Sequence, residues 1–312
     1  MRMHKHAKSS LHLGAVLSVV AIAAALFSGS DAQGGGGTDN IGGTQKIYGN
    51  IPPDQIEFLS TGDRIKSVAA SGSMTSIWET LEHGERVECL DCIPSVEPLL
   101  YDNNPRTREI AAWWLRRRMF GVFGPGEVYE RTVKALATDP NPQRRVAAAN
   151  ALGEFLAAPG VEACATAISN DGDPAVRAAA ASALGRLNSD GRGAISKALA
   201  DGDSRVKLAA AASAGRINTF TDTAAVARLT GDGDGQVRRR AAELLGSMRA
   251  KDSVDGLMGL AKNDPSQDVR NAACHALGQL HDERARSVLQ DIKATDTNSL
   301  VRDQADIALR RL

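Results

Sequence analysis

The chain has 312 residues, with 37 basic and 37 acidic side chains and a formal net charge of zero. This balance argues against a general nucleic-acid binder, which normally carries a basic excess. Removal of residues 1–32 would take away three basic residues and one acidic residue, which leaves a mature chain of net charge −2.

The N-terminus has the pattern of a secretory signal peptide. Arg2, Lys5 and Lys8 precede an apolar run over residues 13–27, and Ser30 and Ala32 are the small residues that signal peptidase reads. The run is short for a transmembrane helix, so we predict a cleaved signal over residues 1–32, with a retained anchor as the alternative. The protein is then exported to the periplasm or outside the cell, and no membrane span remains.

The region between the signal and the first helix is rich in Gly, Ser, Asn and Pro. We predict a flexible linker over residues 33–72. The run Ser76-Ile77-Trp78-Glu79 matches a capping box, which predicts an N-terminal capping helix over residues 73–85.

The rest of the chain repeats one phrase seven times. The clearest copy, DPAVRAAAASALGRL, begins at residue 173, and the others begin at residues 104, 141, 203, 234, 266 and 298. Such a regular interval of 30 to 37 residues indicates a solenoid, in which each unit buries its apolar face against its neighbours.

When the seven copies are aligned, residue types recur at spacings that predict one face of a helix. A basic residue stands at the fifth position of every copy, Ala three residues later, and Leu or Ala four residues after that. The first position is always Asn, Asp or Ser, which are good helix N-caps. A second amphipathic run precedes each phrase and residues 73–312 lack strand-like alternation, so each unit reads as a helical hairpin in an all-α fold.

The phrase D-x-x-V-R-x-x-A-A-x-A-L-G resembles the HEAT repeat, in the bacterial form also called phycobilisome-lyase-like. The resemblance covers residues 86–312 and implies a right-handed α-α superhelix of about seven hairpins. In the family, the Asp and the basic residue of successive units form a structural ladder. The matching positions are Asp173, Arg177, Asp203, Lys207, Asp234 and Arg238.

Cys89 and Cys92 form the sharpest local motif. In an exported protein a structural disulfide is the favoured reading. A redox pair is an alternative, although the strand and helix context of thioredoxin-like motifs is missing. A zinc site would add His83, but it would still lack a fourth ligand.

No other pattern indicates catalysis or a bound cofactor. The HEAT-type hydroxylases carry repeated His-Glu pairs at a di-iron site, and no His of this chain is followed by Glu. The Asp-Gly-Asp triplets at 171–173, 201–203 and 232–234 read as turns and helix caps rather than calcium loops. We therefore predict no catalytic residue, no metal and no cofactor.

An aromatic and basic cluster in the first copy is our candidate for partner binding. Trp113 stands in an outward column, where it is either covered by the N-terminal helix or exposed as an anchor. The full set of candidate residues is Trp113, Arg116, Arg117, Phe120, Phe123, Arg239 and Arg240.

Taken together, the sequence predicts an exported bacterial scaffold without enzymatic activity that binds a protein partner, and not nucleic acid, through its surface. The alternative is a redox-linked or cofactor-linked protein that uses Cys89 and Cys92. An accessory factor of an exported electron-transfer or cofactor-assembly system is a third possibility.

Overall fold

The computed structural model describes residues 46–47, 52, 59–121 and 124–312, with side chains described except at 46–47, 119–121 and 124–125. The predicted signal peptide and most of the predicted linker lie outside these residues. The α-helices of the described part are α1 (Gly62–Ser71), α2 (Met74–His83), α3 (Ile93–Val96), α4 (Pro105–Met119), α5 (Glu127–Thr138), α6 (Pro142–Phe155), α7 (Pro159–Asn170), α8 (Pro174–Arg186), α9 (Ala194–Leu199), α10 (Ser204–Ala214), α11 (Thr223–Arg228), α12 (Gly235–Ser247), α13 (Val254–Asn263), α14 (Gln267–Leu280), α15 (Arg286–Thr295) and α16 (Ser299–Leu309).

Helices α3 to α16 form an all-α superhelix of seven hairpins, which confirms the predicted fold class. Each hairpin, or unit, has a first helix and a second helix, from α3 and α4 in unit one to α15 and α16 in unit seven. The repeated phrase forms the second helix in every unit. In unit one the first helix is short and continues as a 3-10 turn over Glu97–Tyr101.

The predicted N-caps are present at most units. The side chains of Asn141, Asp173, Asp203, Asp234 and Asn298 each accept a hydrogen bond from a backbone N–H in the first turn of the second helix. Ser266 is the exception, because its side chain makes no capping hydrogen bond.

A seam of small residues joins neighbouring second helices. The Ala column of the phrase is fully buried in all seven units, at positions 111, 148, 180, 210, 241, 273 and 305. In units two to six the residue directly after the Leu or Ala column is Gly, and Gly246 shows the reason. A Cβ atom there would lie 2.8 Å from the Cα of Ala276, and one at Gly278 would lie 2.9 Å from the Cα of Ala308. These glycines therefore lie inside the helices, where they let two backbones approach.

The ion-pair ladder exists, but its acidic residues differ from those predicted. Arg177 donates to the carboxylate of Asp201, with N···O distances of 2.7 and 2.9 Å, and not to Asp203. The same arrangement recurs in five pairs: Arg145–Asp171, Arg177–Asp201, Lys207–Asp232, Arg238–Asp264 and Arg270–Asp296.

The predicted acidic residues Asp173, Asp203 and Asp234 cap their own helices instead. Capping occupies their carboxylates, so the aspartate two residues earlier, at the end of the first helix, is the one that faces the preceding unit. The hydrogen bonds from Arg177 and Arg270 hold the pKa of Asp201 and Asp296 below the usual value. The ladder is therefore structural, as the resemblance implied, with each Arg tying two units together.

Unit seven carries charge at a position that is apolar in the other units. Asp306 stands where the other units have buried Ala or Cys, and it accepts hydrogen bonds from Lys293, at 2.6 Å, and from Arg310. The contacts of unit seven therefore differ from those of the inner units at this position.

The N-terminal region departs from the prediction in two ways. Residues 62–71, placed in the flexible linker, form α1 with Ile65 completely buried. Helix α2 begins after Ser73, whose side chain accepts from the N–H of Ser76, so the capping box at Ser76 is wrong. An apolar face on each helix explains both differences, because α1 and α2 form a hairpin that covers unit one.

The described residues also include four two-residue strands, although the sequence predicted none. Strand β1 (Lys46–Ile47) pairs antiparallel with β2 (Val87–Glu88), and β3 (Phe120–Gly121) pairs with β4 (Gly124–Pro125). Two residues are too few to show an alternating pattern, so periodicity could not reveal them.

Candidate protein-interaction surface

The second helices of neighbouring units pack more closely on one another than the first helices do. A depression of about 300 Å³ is lined by residues from three successive second helices, α4, α6 and α8. Another of about 300 Å³ spans α12, α14 and α16. The first helices stand further apart, with a groove of about 560 Å³ between α5 and α7. Because a curved stack is tightest on its inner side, we infer that the second helices form the concave face.

Two columns of side chains point from the second helices to solvent, and we call the surface they form the concave face. The sixth-position column is Glu109, Val146, Ala178, Leu208, Arg239, Asn271 and Asp303. The tenth-position column is Trp113, Asn150, Ser182, Ala212, Glu243, His275 and Ile307. All fourteen side chains are at least partly accessible.

The chemistry of the concave face changes along the solenoid. In units two to four both columns hold only small, apolar or neutral polar residues. In unit five they hold Arg239 and Glu243, and Arg240 replaces the Ala found beside them in units two, three, four and six. The face thus offers a neutral central stretch and a charged stretch next to it.

The predicted residues of unit one are mostly engaged within the fold. Trp113 is half-buried against the core rather than exposed. Arg117 forms an ion pair with Glu85, and Arg116 donates to the carbonyl of Glu154 at 3.5 Å. The side chain of Phe120 and the whole of Phe123 lie outside the described part of the structure. The described residues of this cluster therefore connect α4 to neighbouring parts of the fold. The side chain of Trp113 is only partly accessible to solvent.

Arg118, the neighbour of these predicted residues, is a buried structural residue. Its guanidinium stacks on Trp114, 3.5 Å from the ring centroid, and donates to four backbone carbonyls. The acceptors are Trp114, Gly84, Glu85 and Val87, at 2.7, 2.7, 3.1 and 2.6 Å. No sequence pattern indicated this role, because three consecutive arginines are typical of a solvated surface.

The two predicted residues of unit five are accessible. Arg239 and Arg240 share the carboxylate of Glu243 on their own helix, at 3.7 and 3.0 Å. Their side chains are 43% and 38% exposed, so both guanidinium groups can reach a bound partner. The structure does not bring them together with Trp113, which lies four units away.

Cys89 and Cys92 are joined by a disulfide bond in the structure, with their Cα atoms 5.2 Å apart. Both residues are buried, and the adjacent Asp91 forms an ion pair with Lys66 of α1. Asp91, and not His83, is the third group near enough to share a metal ion with them. Since the sulfur atoms are bonded to each other, they are not available as thiolate ligands. The loop ties β2 and α3 to α1.

The other two cysteines lie in the core. Burial raises the pKa of both Cys164 and Cys274 to about 12. Their thiols therefore stay protonated at neutral pH and behave as small apolar side chains.

A second set of bonds between units was missed by sequence reasoning. It lies just after the second helices, at residues with left-handed backbone conformation. Asn188 (φ 52°) accepts from the N–H of Asn218 at 2.9 Å, and Arg249 (φ 56°) donates to the carbonyl of Gln279 at 3.1 Å. Asn at this position was the one available signal, since Asn tolerates the left-handed region.

The geometry so far defines a class of protein, an α-solenoid with an accessible concave face. The family described as HEAT repeats matches residues 129–192, 163–230 and 223–310. These matches cover more than half of the chain, which therefore belongs to the HEAT-repeat family. No curated protein sequence matches the chain.

Solved structures show the same fold at low sequence identity. Escherichia coli YibA is 17% identical with a TM-score of 0.54, over 80% of this chain and 92% of that one. Kap95p, solved with RanGDP, is 16% identical with a TM-score of 0.56, over 79% of this chain and 38% of its own. The CpcE–CpcF phycocyanin lyase from Nostoc sp. is 17% identical over 70% of this chain and 94% of that one, but its TM-score of 0.39 supports no argument.

Within the described residues, no helix is long and apolar enough to cross a membrane.

Proposed function

We propose that this protein is an exported, non-enzymatic scaffold that binds a protein partner through its concave face. The observation that carries the proposal is the separation of structural and accessible side chains in the second helices. The buried columns and the ladder hold the stack together, while two further columns stay accessible through all seven units. A rigid, extended surface of this kind is what repeat proteins use for binding.

Export is part of the proposal and rests on the N-terminal sequence. A basic segment, an apolar run and small residues precede the described region. The disulfide between Cys89 and Cys92 supports the same view, because such bonds persist in oxidising compartments.

A structural role for the disulfide is favoured over redox activity. Cys89 is 1% exposed and Cys92 is fully buried, so a reacting thiol could not reach either sulfur without local opening. The bond instead holds a turn against α1, next to the ion pair of Lys66 and Asp91.

The proposal can be tested by blocking one face at a time. Ser182 lies in the tenth-position column of unit three, and Ser169 is exposed on α7, a first helix of the same unit. Unit one already has Trp in the tenth-position column, so Ser182→Trp is compatible with the fold. Crosslinked capture from the exported fraction, read by mass spectrometry, should lose the partner with Ser182→Trp and keep it with Ser169→Trp. Equal capture by both variants would contradict concave-face binding.

A further inference from the structure

The seam between second helices opens at one place. In the glycine column, Gly153, Gly185, Gly246 and Gly278 are buried, and a Cβ atom at any of them would lie 3.1 Å or less from the next helix or its side chains. Gly215 of unit four is exposed, and its nearest atom would be 3.5 Å away. The preceding residue is Ala214, where the other units have Leu. The backbones of α10 and α12 therefore stand further apart here, with the side chain of Leu244 between them, and we call this wider junction the gap.

Arg240 lies across this gap. The residue at its position is Ala in units two, three, four and six. Its guanidinium Nη2 is 3.8 Å from the point where a Cβ atom of Gly215 would be, so the side chain reaches from unit five towards unit four. The missing side chain of Gly215 and the long side chain of Arg240 thus form one local feature.

Positive charge exceeds negative charge around the gap. Arg239 and Arg240 share the single carboxylate of Glu243. Arg216, directly after Gly215, is exposed and makes no ion pair within the described part of the chain. Asp268 lines the same depression as Arg239 and Glu243. Three guanidinium groups are therefore set against two carboxylates, which leaves an excess of one positive charge.

We propose that Arg216, Arg239 and Arg240 form a docking site for an extended acidic segment of a partner protein. The charge excess selects carboxylates, and guanidinium groups bind them with two parallel hydrogen bonds. The two outward columns of units two to four are uncharged, and Glu154 and Arg186 beside them are paired with each other, so these columns add no charge along the path of the peptide. The site deepens the proposed function and rests on it.

The spacing of the units sets the spacing of the acidic residues. Neighbouring packed helices lie about 8–10 Å apart. An extended peptide rises about 3.3 Å per residue, so three residues span one unit. Because Arg216 belongs to unit four and Arg239 to unit five, carboxylates at positions i and i+3 of the segment match these two residues, with Arg240 between the units.

Fluorescence anisotropy with defined peptides tests the site. The probe is a labelled Gly/Ser peptide with Glu at positions i and i+3, and the control peptide has Gln at both. The purified protein should bind the Glu peptide and not the Gln peptide. The variant Arg239→Gln/Arg240→Gln should weaken binding about tenfold, because it removes two charge-assisted contacts and keeps the side-chain length.

Two controls make the result specific. Arg284→Gln/Arg286→Gln changes the net charge equally at two arginines of similar exposure, 54% and 44%, near the start of α15, a first helix. It should bind like the unaltered protein. The second control is Gly215→Glu, which the backbone tolerates because φ of Gly215 is an ordinary −72°. The new carboxylate competes for the arginines, so it should weaken binding of the Glu peptide without removing an arginine.

Three outcomes would overturn the site: equal binding of the Glu and Gln peptides, an equal loss in the two double variants, or tighter binding of a DNA duplex than of the Glu peptide. If the acidic peptide fails to bind while Ser182→Trp still abolishes partner capture, the docking site is wrong and the concave-face scaffold stands.

Discussion

Units two to seven and the N-terminal region, residues 59–121, are held together in different ways. In the inner units the same contacts recur, with a small-residue seam between second helices and an Arg or Lys to Asp ladder at their N-termini. The N-terminal region relies on single features: the disulfide, the stacked pair of Arg118 and Trp114, and the cap formed by α1 and α2.

The junction between the two regions shows the change. Asp139 occupies the ladder position of unit two, but it pairs with Arg144 of its own unit and not with Arg108 of unit one. Arg116 stands where inner units have Gly, so α4 and α6 cannot approach as closely. Glu97 and Arg131 bridge the junction instead, with N···O distances of 2.8 and 2.7 Å. A repeat can therefore keep its sequence phrase while its contacts change.

The largest expected effect is in the N-terminal region. Arg118→Met should leave four carbonyls without their donor and destabilise this region by about 3 kcal/mol. Arg117→Met, which removes an exposed ion pair, should cost about 1 kcal/mol or less. Urea unfolding followed by Trp fluorescence reports on this region, because all three Trp residues lie in it. Similar losses in the two variants would contradict the structural role of Arg118.

The next effect concerns the seam of the inner units. Ala210→Leu puts three extra carbons into a fully buried column and should cost about 2–3 kcal/mol. Ala212→Leu, in the outward column of the same helix, should change the melting temperature little. Thermal unfolding followed by circular dichroism separates them, and an unchanged melting temperature for Ala210→Leu would refute the assignment of the column.

A smaller effect tests the opening at Gly215. Gly246→Ala should destabilise by about 1–2 kcal/mol, because its Cβ would clash with the backbone and Cβ of Ala276. Gly215→Ala has space and ordinary backbone angles, so it should be neutral or stabilise by about 0.5 kcal/mol. Chemical unfolding of both variants gives the comparison. Equal destabilisation would show that the seam is closed at both places.

The smallest effect tests which aspartates form the ladder. Asp201→Asn should cost about 1 kcal/mol near neutral pH by removing the ion pair with Arg177. Asp203→Asn should cost less, because Asn caps helices as well as Asp. Since the folded state lowers the pKa of Asp201, its contribution is complete above the unfolded pKa of about 4 and is lost as the pH falls through the folded pKa.

Unfolding measured between pH 6 and pH 3 checks this. The difference in stability between the original protein and Asp201→Asn should shrink as the pH falls. If this difference stays constant with pH, or if Asp203→Asn lowers the free energy of unfolding more than Asp201→Asn does, the ladder predicted from the sequence would be the correct one.

The repeated part of the fold could be predicted because seven copies can be aligned. Positions that keep the same residue type in all copies are then distinguished from positions that vary. The buried Ala column, the caps and the number of hairpins all followed from spacing alone. The ladder partner was misassigned because Asp-Gly-Asp holds two aspartates, and only the structure shows which one faces the preceding unit.

Structural features that occur only once in the described residues could not be predicted, because no repeated sequence pattern marks them. The four carbonyls that bind Arg118 come from residues 84–87 and 114, whose approach depends on the tertiary fold. The opening at Gly215 was also hidden, because Gly is the expected residue in that column. Its meaning appears only when the distance to the next helix is known.

The most direct test of the scaffold is site-specific photo-crosslinking in the exported fraction. A photoreactive residue at Ser182 reports on the concave face, and one at Ser169 reports on the first helices of the same unit. The account predicts a crosslinked protein partner from Ser182 and little from Ser169. A partner captured mainly from Ser169 would contradict it and place binding on the outer side of the solenoid.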